Sequence, residues 1–276
     1  MIVDVLPIET DGRLDRVEHI MGMPIAIEIR DPDVDAAALD AAFDWFRWVD
    51  ATFSTYQPDS EISRLNRGEL ILADAHPDVQ SVLARCEELR VETDGYFDIH
   101  SNHLPVPLTA AGGTIMTTGI DPSGFVKGWS VDRAARILDA AGAGNYGINA
   151  GGDVVVRGGA LPDAAWRVGI RHPFQRDQVA AVVTVSDLAV ATSGAYERGE
   201  HIVNPHTGEP PSDVLSVSIV GPDLGTADAY ATAIFAMGID GPAWTTRLFG
   251  YEAMIILADR TVLSTRWFPK ETAMGQ

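Results

Sequence analysis

Ile25, Ile27 and Ile29 alternate with smaller or polar residues, the two-residue period of a half-buried strand, until Asp31-Pro32-Asp33 interrupts it. The period then lengthens. Leu39, Ala42, Phe43, Phe46, Val49 and Phe53 recur at helical spacing while Asp40, Asp44, Arg47 and Asp50 take the other face, which predicts a surface helix packed on a core. Val79, Val82, Leu83, Cys86 and Leu89 repeat the pattern after His76-Pro77-Asp78, and Thr93-Asp94-Gly95 supplies a stop. From Ser101 to Gly119, prolines, a Gly pair and weak periodicity predict a loop or an irregular hairpin. A further helix is expected from Trp129 to Ala141, its first turn following Lys127-Gly128.

Strand patterns dominate the rest of the chain. They run over Asn145 to Asn149, Asp153 to Arg157, Trp166 to Arg171, Val179 to Ser186, Leu188 to Thr192, His201 to Val203, Ser216 to Val220, Ala253 to Ala258 and Val262 to Thr265. A helix from Thr226 to Met237 splits the last group. Strands close in sequence and joined by short turns predict an α+β fold with mixed, mostly antiparallel sheet and flanking helices. With no repeat or linker in view, residues 1–276 are expected to form a single domain.

Charge narrows the possible partners. The chain has 39 acidic and 20 basic residues, a formal net charge of -19, so its field repels DNA, RNA and anionic lipid. An anionic substrate such as a pyrophosphate then needs a metal ion or a well-placed Lys to offset that field. Cys86, the single cysteine, falls on the apolar stripe of a helix, where core packing is expected. Met1 to Pro7 has neither the basic flank nor the cleavage site of a signal peptide. No run approaches the roughly 20 apolar residues of a membrane span, so a cytoplasmic location is expected.

Few residues invite chemistry. Asp228 and Thr232 lie four apart on a predicted helix, so a carboxylate and a hydroxyl share one face. Two hard oxygen donors suit Mg²⁺, although Asp in a first helical turn is equally favoured as a cap. Asn149-Ala150-Gly151-Gly152-Asp153 between two strands allows a ligand to approach main chain, and a Gly-Gly hairpin turn explains it as well. His201 opens a short strand running into Asn204-Pro205 and Thr207-Gly208, a place for a general base or simply an exposed loop His. Lys127, ahead of a helix, can meet an anion together with the helix amides, or be solvated. Tyr96-Phe97-Asp98 can stack on and hydrogen-bond a planar ring, or end a buried strand.

Taken in order, these segments resemble the ApbE family, the FAD:protein FMN transferases. The resemblance covers nearly the whole chain. It rests on Met21-Gly22, Ser54 to Asn66, Gly95-Tyr96-Phe97-Asp98, Ile120 to Gly128, Asn149 to Asp153, Ala191 to Tyr196, His201 to Pro205 and Ala227-Asp228-Ala229. It implies a two-lobed unit in which Met21, Tyr56, Tyr96, Phe97, Asp98, Asp121, Lys127 and Ile202 line an FAD site. Asp228 and Thr232 would hold Mg²⁺, with Gly124 and Ala231 able to add only backbone carbonyls, and His201 would be the base. The implied reaction moves FMN from FAD to a Thr or Ser hydroxyl of a target protein and releases AMP. Hydrolysis of FAD to FMN and AMP, or simple FAD storage, are the alternatives.

The chain departs from the family pattern at Met21-Gly22-Met23, where Met-Gly-Thr is usual, and after Asp98, where an apolar, Trp-containing stretch is missing. There is also no lipobox cysteine, so an intracellular target is expected. Because a base must be neutral, activity is predicted to fall below about pH 6.5 if His201 titrates at its ordinary value. A pH–rate profile flat from pH 5 to 8 would remove His201 from that role.

Overall fold

The computed structural model describes residues 14–100, 105–110, 113–160, 164–175, 178–194 and 202–271. Strands β1 (Leu14–Ile20) and β2 (Met23–Ile29) form a hairpin, followed by helices α1 (Ala37–Phe53), α2 (Glu61–Asn66) and α3 (Pro77–Glu92). A small hairpin of β3 (Pro105–Ala110) and β4 (Gly113–Thr118) leads to α4 (Ser123–Ala140). Then come β5 (Tyr146–Ala150), β6 (Asp153–Arg157), β7 (Trp166–Arg171), β8 (Val179–Val185), β9 (Ala189–Gly194) and β10 (Val214–Gly221). Helix α5 (Leu224–Ala236), a short α6 (Gly241–Trp244), β11 (Glu252–Leu257) and β12 (Val262–Ser264) complete the described chain.

Eight strands make one sheet in the order β1-β2-β5-β6-β9-β10-β11-β12, and β3-β4 and β7-β8 form separate two-stranded sheets. Every pairing is antiparallel. Alternation along the strands sorts residues to two faces. On one face Ile25, Ile27, Ile29, Ile148, Val155, Ala191, Val217, Ile219 and Ile255 pack with α1, α4 and α5. On the other, Val154, Val156, Val190, Val220, Met254 and Ile256 are covered by Trp166, Val168, Ile170, Val183 and Val185 of the β7-β8 hairpin. Both faces are buried, and for this reason β6 and β10 show nearly continuous apolar runs. A second helical core joins Val49, Phe53, Ile62, Val82, Cys86, Leu89, Phe97, Phe125, Val126, Ala229 and Ala233. Cys86 is buried there, and burial pushes its thiol up to about 12, the behaviour of a packing residue.

The periodic segments lie close to their expected bounds, with four differences. Strand β1 was not anticipated, because Asp15, Arg16, Glu18 and His19 leave Leu-Asp-Arg-Val-Glu-His-Ile without an apolar alternation, as a sheet edge allows. Helix α2 is too short for periodicity to show, and it is marked only by Ser60, whose side chain accepts the Ser63 N–H. Ile202 and Val203 belong to no strand, and His201 lies outside the described residues. Helix α4 begins at Ser123, six residues before the expected start at Trp129, so Lys127 stands inside it. Gly124 and Gly128 depress helix propensity and hid that first turn.

Gly128 has a tertiary reason. A Cβ at that position would lie 2.5 Å from the Leu224 carbonyl oxygen at the start of α5. At Gly225 a Cβ would lie 2.9 Å from the Phe125 ring. The two helices are therefore in backbone contact. Gly128→Ala should lower the unfolding free energy by about 1–3 kcal/mol through overpacking, read as a lower urea midpoint. An unchanged midpoint would mean that α4 and α5 can separate at no cost.

Candidate active site

A cavity of about 1210 Å³ opens between the helices and one end of the large sheet. It is lined by Met21, Tyr56, Tyr96, Phe97, Asp98, Asp121, Gly124, Lys127, Ile202, Asp228 and Thr232. Eleven of the thirteen residues expected at the site thus share one space. The twelfth, Ala231, is fully buried in the core and offers the cavity no side chain. The thirteenth is His201, whose position is not described.

Each wall is fixed locally. Met21 and Gly22 form the β1-β2 turn with φ of 55° and 72°, which aims Met21 into the cavity from the left-handed region. The Ser54 hydroxyl oxygen accepts the N–H groups of Tyr56 and Gln57, each at 3.2 Å, shaping the rim where Tyr56 is 93% exposed. Gly95, with φ of 82°, turns the chain after α3 so that Phe97 is buried and its N–H donates to the Thr93 hydroxyl at 3.0 Å. His206 of the turn after Ile202 packs edge-on against Tyr96 with ring centroids 4.6 Å apart, and its Nε2 lies 3.0 Å from the Asp94 carbonyl oxygen. Asn66 of α2 pairs with the backbone of Ile120 in both directions, at 2.8 and 3.0 Å, and so holds the segment carrying Asp121. Asp121 in turn accepts the Ser123 N–H at 3.0 Å at the start of α4.

The floor is ionic. Lys127 Nζ lies 2.6 Å from Asp153 Oδ2 and 3.5 Å from Asp228 Oδ1. Both carboxylates are buried, and the Lys127 side chain is 19% exposed. Asp153 Oδ1 accepts the Thr192 N–H at 3.0 Å, which fixes that carboxylate to the sheet. Thr232 Oγ1 lies 3.4 Å from Ser193 Oγ, and the Gly124 backbone passes close by, a Cβ there being 3.9 Å from Thr232 Oγ1. These are hard oxygen donors. Among the described residues no group of three His, Cys, Asp or Glu converges as a metal cage. The donor set therefore fits a hard cation held by one carboxylate, a hydroxyl, main-chain carbonyls and water, and not a softer metal.

Asp153 is the site residue that sequence patterns did not single out. It was visible as the end of the Asn149-to-Asp153 segment, which is indeed a hairpin turn: Gly151 and Gly152 have φ of 62° and 107°, and Asn149 Oδ1 accepts the Gly152 N–H. Asn149, Gly151 and Gly152 of the same turn line the cavity.

Helices α4 and α5 are also locked by charge. Asp132 of α4 accepts the N–H groups of Leu224 and Gly225, both at 2.9 Å, and Asp223 caps α5 by accepting the Thr226 N–H at 2.8 Å. The Tyr251 hydroxyl donates to the second Asp223 oxygen. Burial raises the Asp132 carboxyl to about 6, against the lowering effect of the two N–H groups it accepts.

Comparison with known proteins gives a consistent result. The sequence model of the ApbE family matches residues 21–114 and 108–255. An FAD:protein FMN transferase of Treponema pallidum is 34% identical over 203 residues, 67% of this chain and 54% of that protein. One of Vibrio cholerae is 29% identical over 238 residues, 69% of this chain and 70% of that protein. The match thus spans about half the length of the Treponema relative. The solved flavin transferase ApbE of Vibrio cholerae superimposes with a TM-score of 0.77 at 24% identity, covering 92% of this chain and 96% of that one. The ApbE protein of Thermotoga maritima does so with 0.78 at 23%, covering 94% and 100%. At such identity the two structures speak to the fold. No helix of the described residues is long and apolar enough to cross a membrane.

The Asp132 clamp carries a pH signature. With its folded-state value raised from 3.8 to about 6, the native protein binds more protons than the unfolded chain in between, so this residue's contribution to stability falls as pH rises through that window. Asp132→Asn should remove that slope. The wild-type minus variant difference in unfolding free energy is expected to grow by up to about 3 kcal/mol from pH 7 to pH 4. A difference independent of pH would show that Asp132 is solvated and titrates normally.

Proposed function

The chain belongs to the ApbE family, and from that premise we propose that it transfers FMN from FAD to a Thr or Ser hydroxyl of a target protein, releasing AMP, with Mg²⁺ at Asp228 and Thr232. The observation that supports this most is the contrast between the two parts of one cavity. Tyr56, Tyr96, Phe97, Met21 and Ile202 offer aromatic and apolar surface for a ring system, while Lys127, Asp228 and Thr232 gather charge and hard oxygens where a pyrophosphate must lie.

The chemistry follows from these groups. The acceptor oxygen attacks the phosphorus on the FMN side, a new O–P bond forms, and the bond to the bridging oxygen breaks so that AMP leaves with that oxygen. His201 takes the acceptor proton in this scheme, a service worth about 10²–10⁴ in rate. Lys127 places a positive charge beside the pyrophosphate oxygens, where negative charge is otherwise uncompensated in so acidic a protein. Bound Mg²⁺ would supply Lewis-acid neutralisation of the phosphate charge. Asp228 and Thr232 project from successive turns of α5, whose buried Ala227, Ala229, Ala231 and Ala233 let it pack closely on its neighbours; the ligand pair is held on a rigid element. Asp98 and Asp121 stand at the rim, placed to hydrogen-bond ring nitrogens or ribose hydroxyls.

Incubating the protein with FAD, Mg²⁺ and a set of Thr- and Ser-containing peptides should yield AMP together with peptides heavier by FMN, detected by mass spectrometry. Asp228→Ala and His201→Ala are each expected to slow this transfer by about 10²-fold or more. AMP with only non-covalent FMN, whatever the peptide, would replace transfer with hydrolysis. Stoichiometric FAD retention without AMP would leave a flavin-storage protein.

A further inference from the structure

Lys127 stands between two carboxylates, and at one of them, Asp228, its ammonium competes with the cation that the proposed function needs. Its Nζ lies 3.5 Å from Asp228 Oδ1, close enough to occupy the face of that carboxylate, and 2.6 Å from Asp153 Oδ2. An ammonium and a divalent cation repel each other and cannot both sit tightly on Asp228. How far Lys127 leans toward Asp228 therefore depends on how firmly Asp153 holds it. Asp153 is suited to hold it back. It is buried, and its Oδ1 is tied to the Thr192 N–H at 3.0 Å, so the carboxylate cannot follow the lysine toward Asp228.

We propose that Asp153 is a positioning residue that parks the Lys127 ammonium away from Asp228, keeping the Asp228 carboxylate open to a divalent cation while leaving Lys127 in reach of the substrate phosphates. The charge arithmetic agrees. Of these three groups, two carboxylates and one ammonium leave one negative charge, which favours a cation; without the Asp153 charge, Lys127 turns its full charge on Asp228. The inference rests on the assignment of Mg²⁺ to Asp228.

The test is a double-mutant cycle read by direct binding of Mn²⁺, followed by electron paramagnetic resonance, and of Mg²⁺ by calorimetry, without FAD or turnover. Asp153→Asn keeps an oxygen for the Thr192 N–H and removes only the charge. It is expected to weaken cation binding at least tenfold. Lys127→Met alone should bind as tightly as wild type or tighter. In that background Asp153→Asn should change affinity less than threefold, so that the double variant returns close to wild type. A purely structural role for Asp153 would not be rescued by removing its partner. Equal losses in both lysine backgrounds, or no loss at all, would overturn the parking role while leaving the metal assignment standing. Wild-type protein that binds neither ion would overturn both. If Asp153→Asn does not fold, Lys127→Met decides by itself: weaker cation binding than wild type overturns the proposal.

Discussion

At Gly128 and Gly225 two helix backbones meet with no side chain between them, and the rest of the site hangs on that contact. Gly124 and Lys127 come from α4, Asp228 and Thr232 from the first turns of α5, and the separation of these groups is set by how closely the helices approach. Asp132 fastens the same junction by accepting two amides at the head of α5. A methyl group at either glycine would push apart residues that must converge within a few ångströms. The alanines along α5 extend this logic, since a helix buried on nearly all sides can pack between α4 and the sheet only if its side chains are small.

The second constraint is electrostatic. In a chain with a net charge of -19, Lys127 is held between the buried carboxylates of Asp153 and Asp228 in the wall of the cavity. Each charge offsets another at short range, inside a wall of low polarity where such offsets count for most. The acidic surface is therefore compatible with a phosphate substrate.

The aromatic and apolar side of the cavity is built differently, from turns. Met21-Gly22, Thr93 to Phe97 and the segment from Ile202 to Gly208 are held by backbone conformations and a few side-chain hydrogen bonds: Thr93 to Phe97, His206 to Asp94, Asn66 to Ile120. Here Met23 stands in place of the usual threonine, and its sulfur packs beside Gly151, where a Cβ would lie 2.9 Å away. Met23 thus fills space at the β5-β6 turn and is buried, taking a packing role where a hydroxyl is usual.

Much of this could be told from the order of residues. Periodicity located α1 and α3, because each buries one face and the burial leaves its period in the sequence, while α5 and the central strands were marked by their apolar content. Family-like segments picked out residues that the fold brings into one cavity, since those segments are short turns and helix starts with fixed chemistry. Other features needed the tertiary structure. The first turn of α4 was concealed by glycines whose purpose is a contact with α5, nearly a hundred residues away. Strand β1 carries polar residues on both faces and becomes a strand only by pairing with β2 at the sheet edge. Asp153 looked like part of a turn because nothing in its neighbourhood in sequence reveals that Lys127, 26 residues earlier, will meet it. Local patterns determine which face of each element is apolar; long-range packing decides which charges are left to share a buried space.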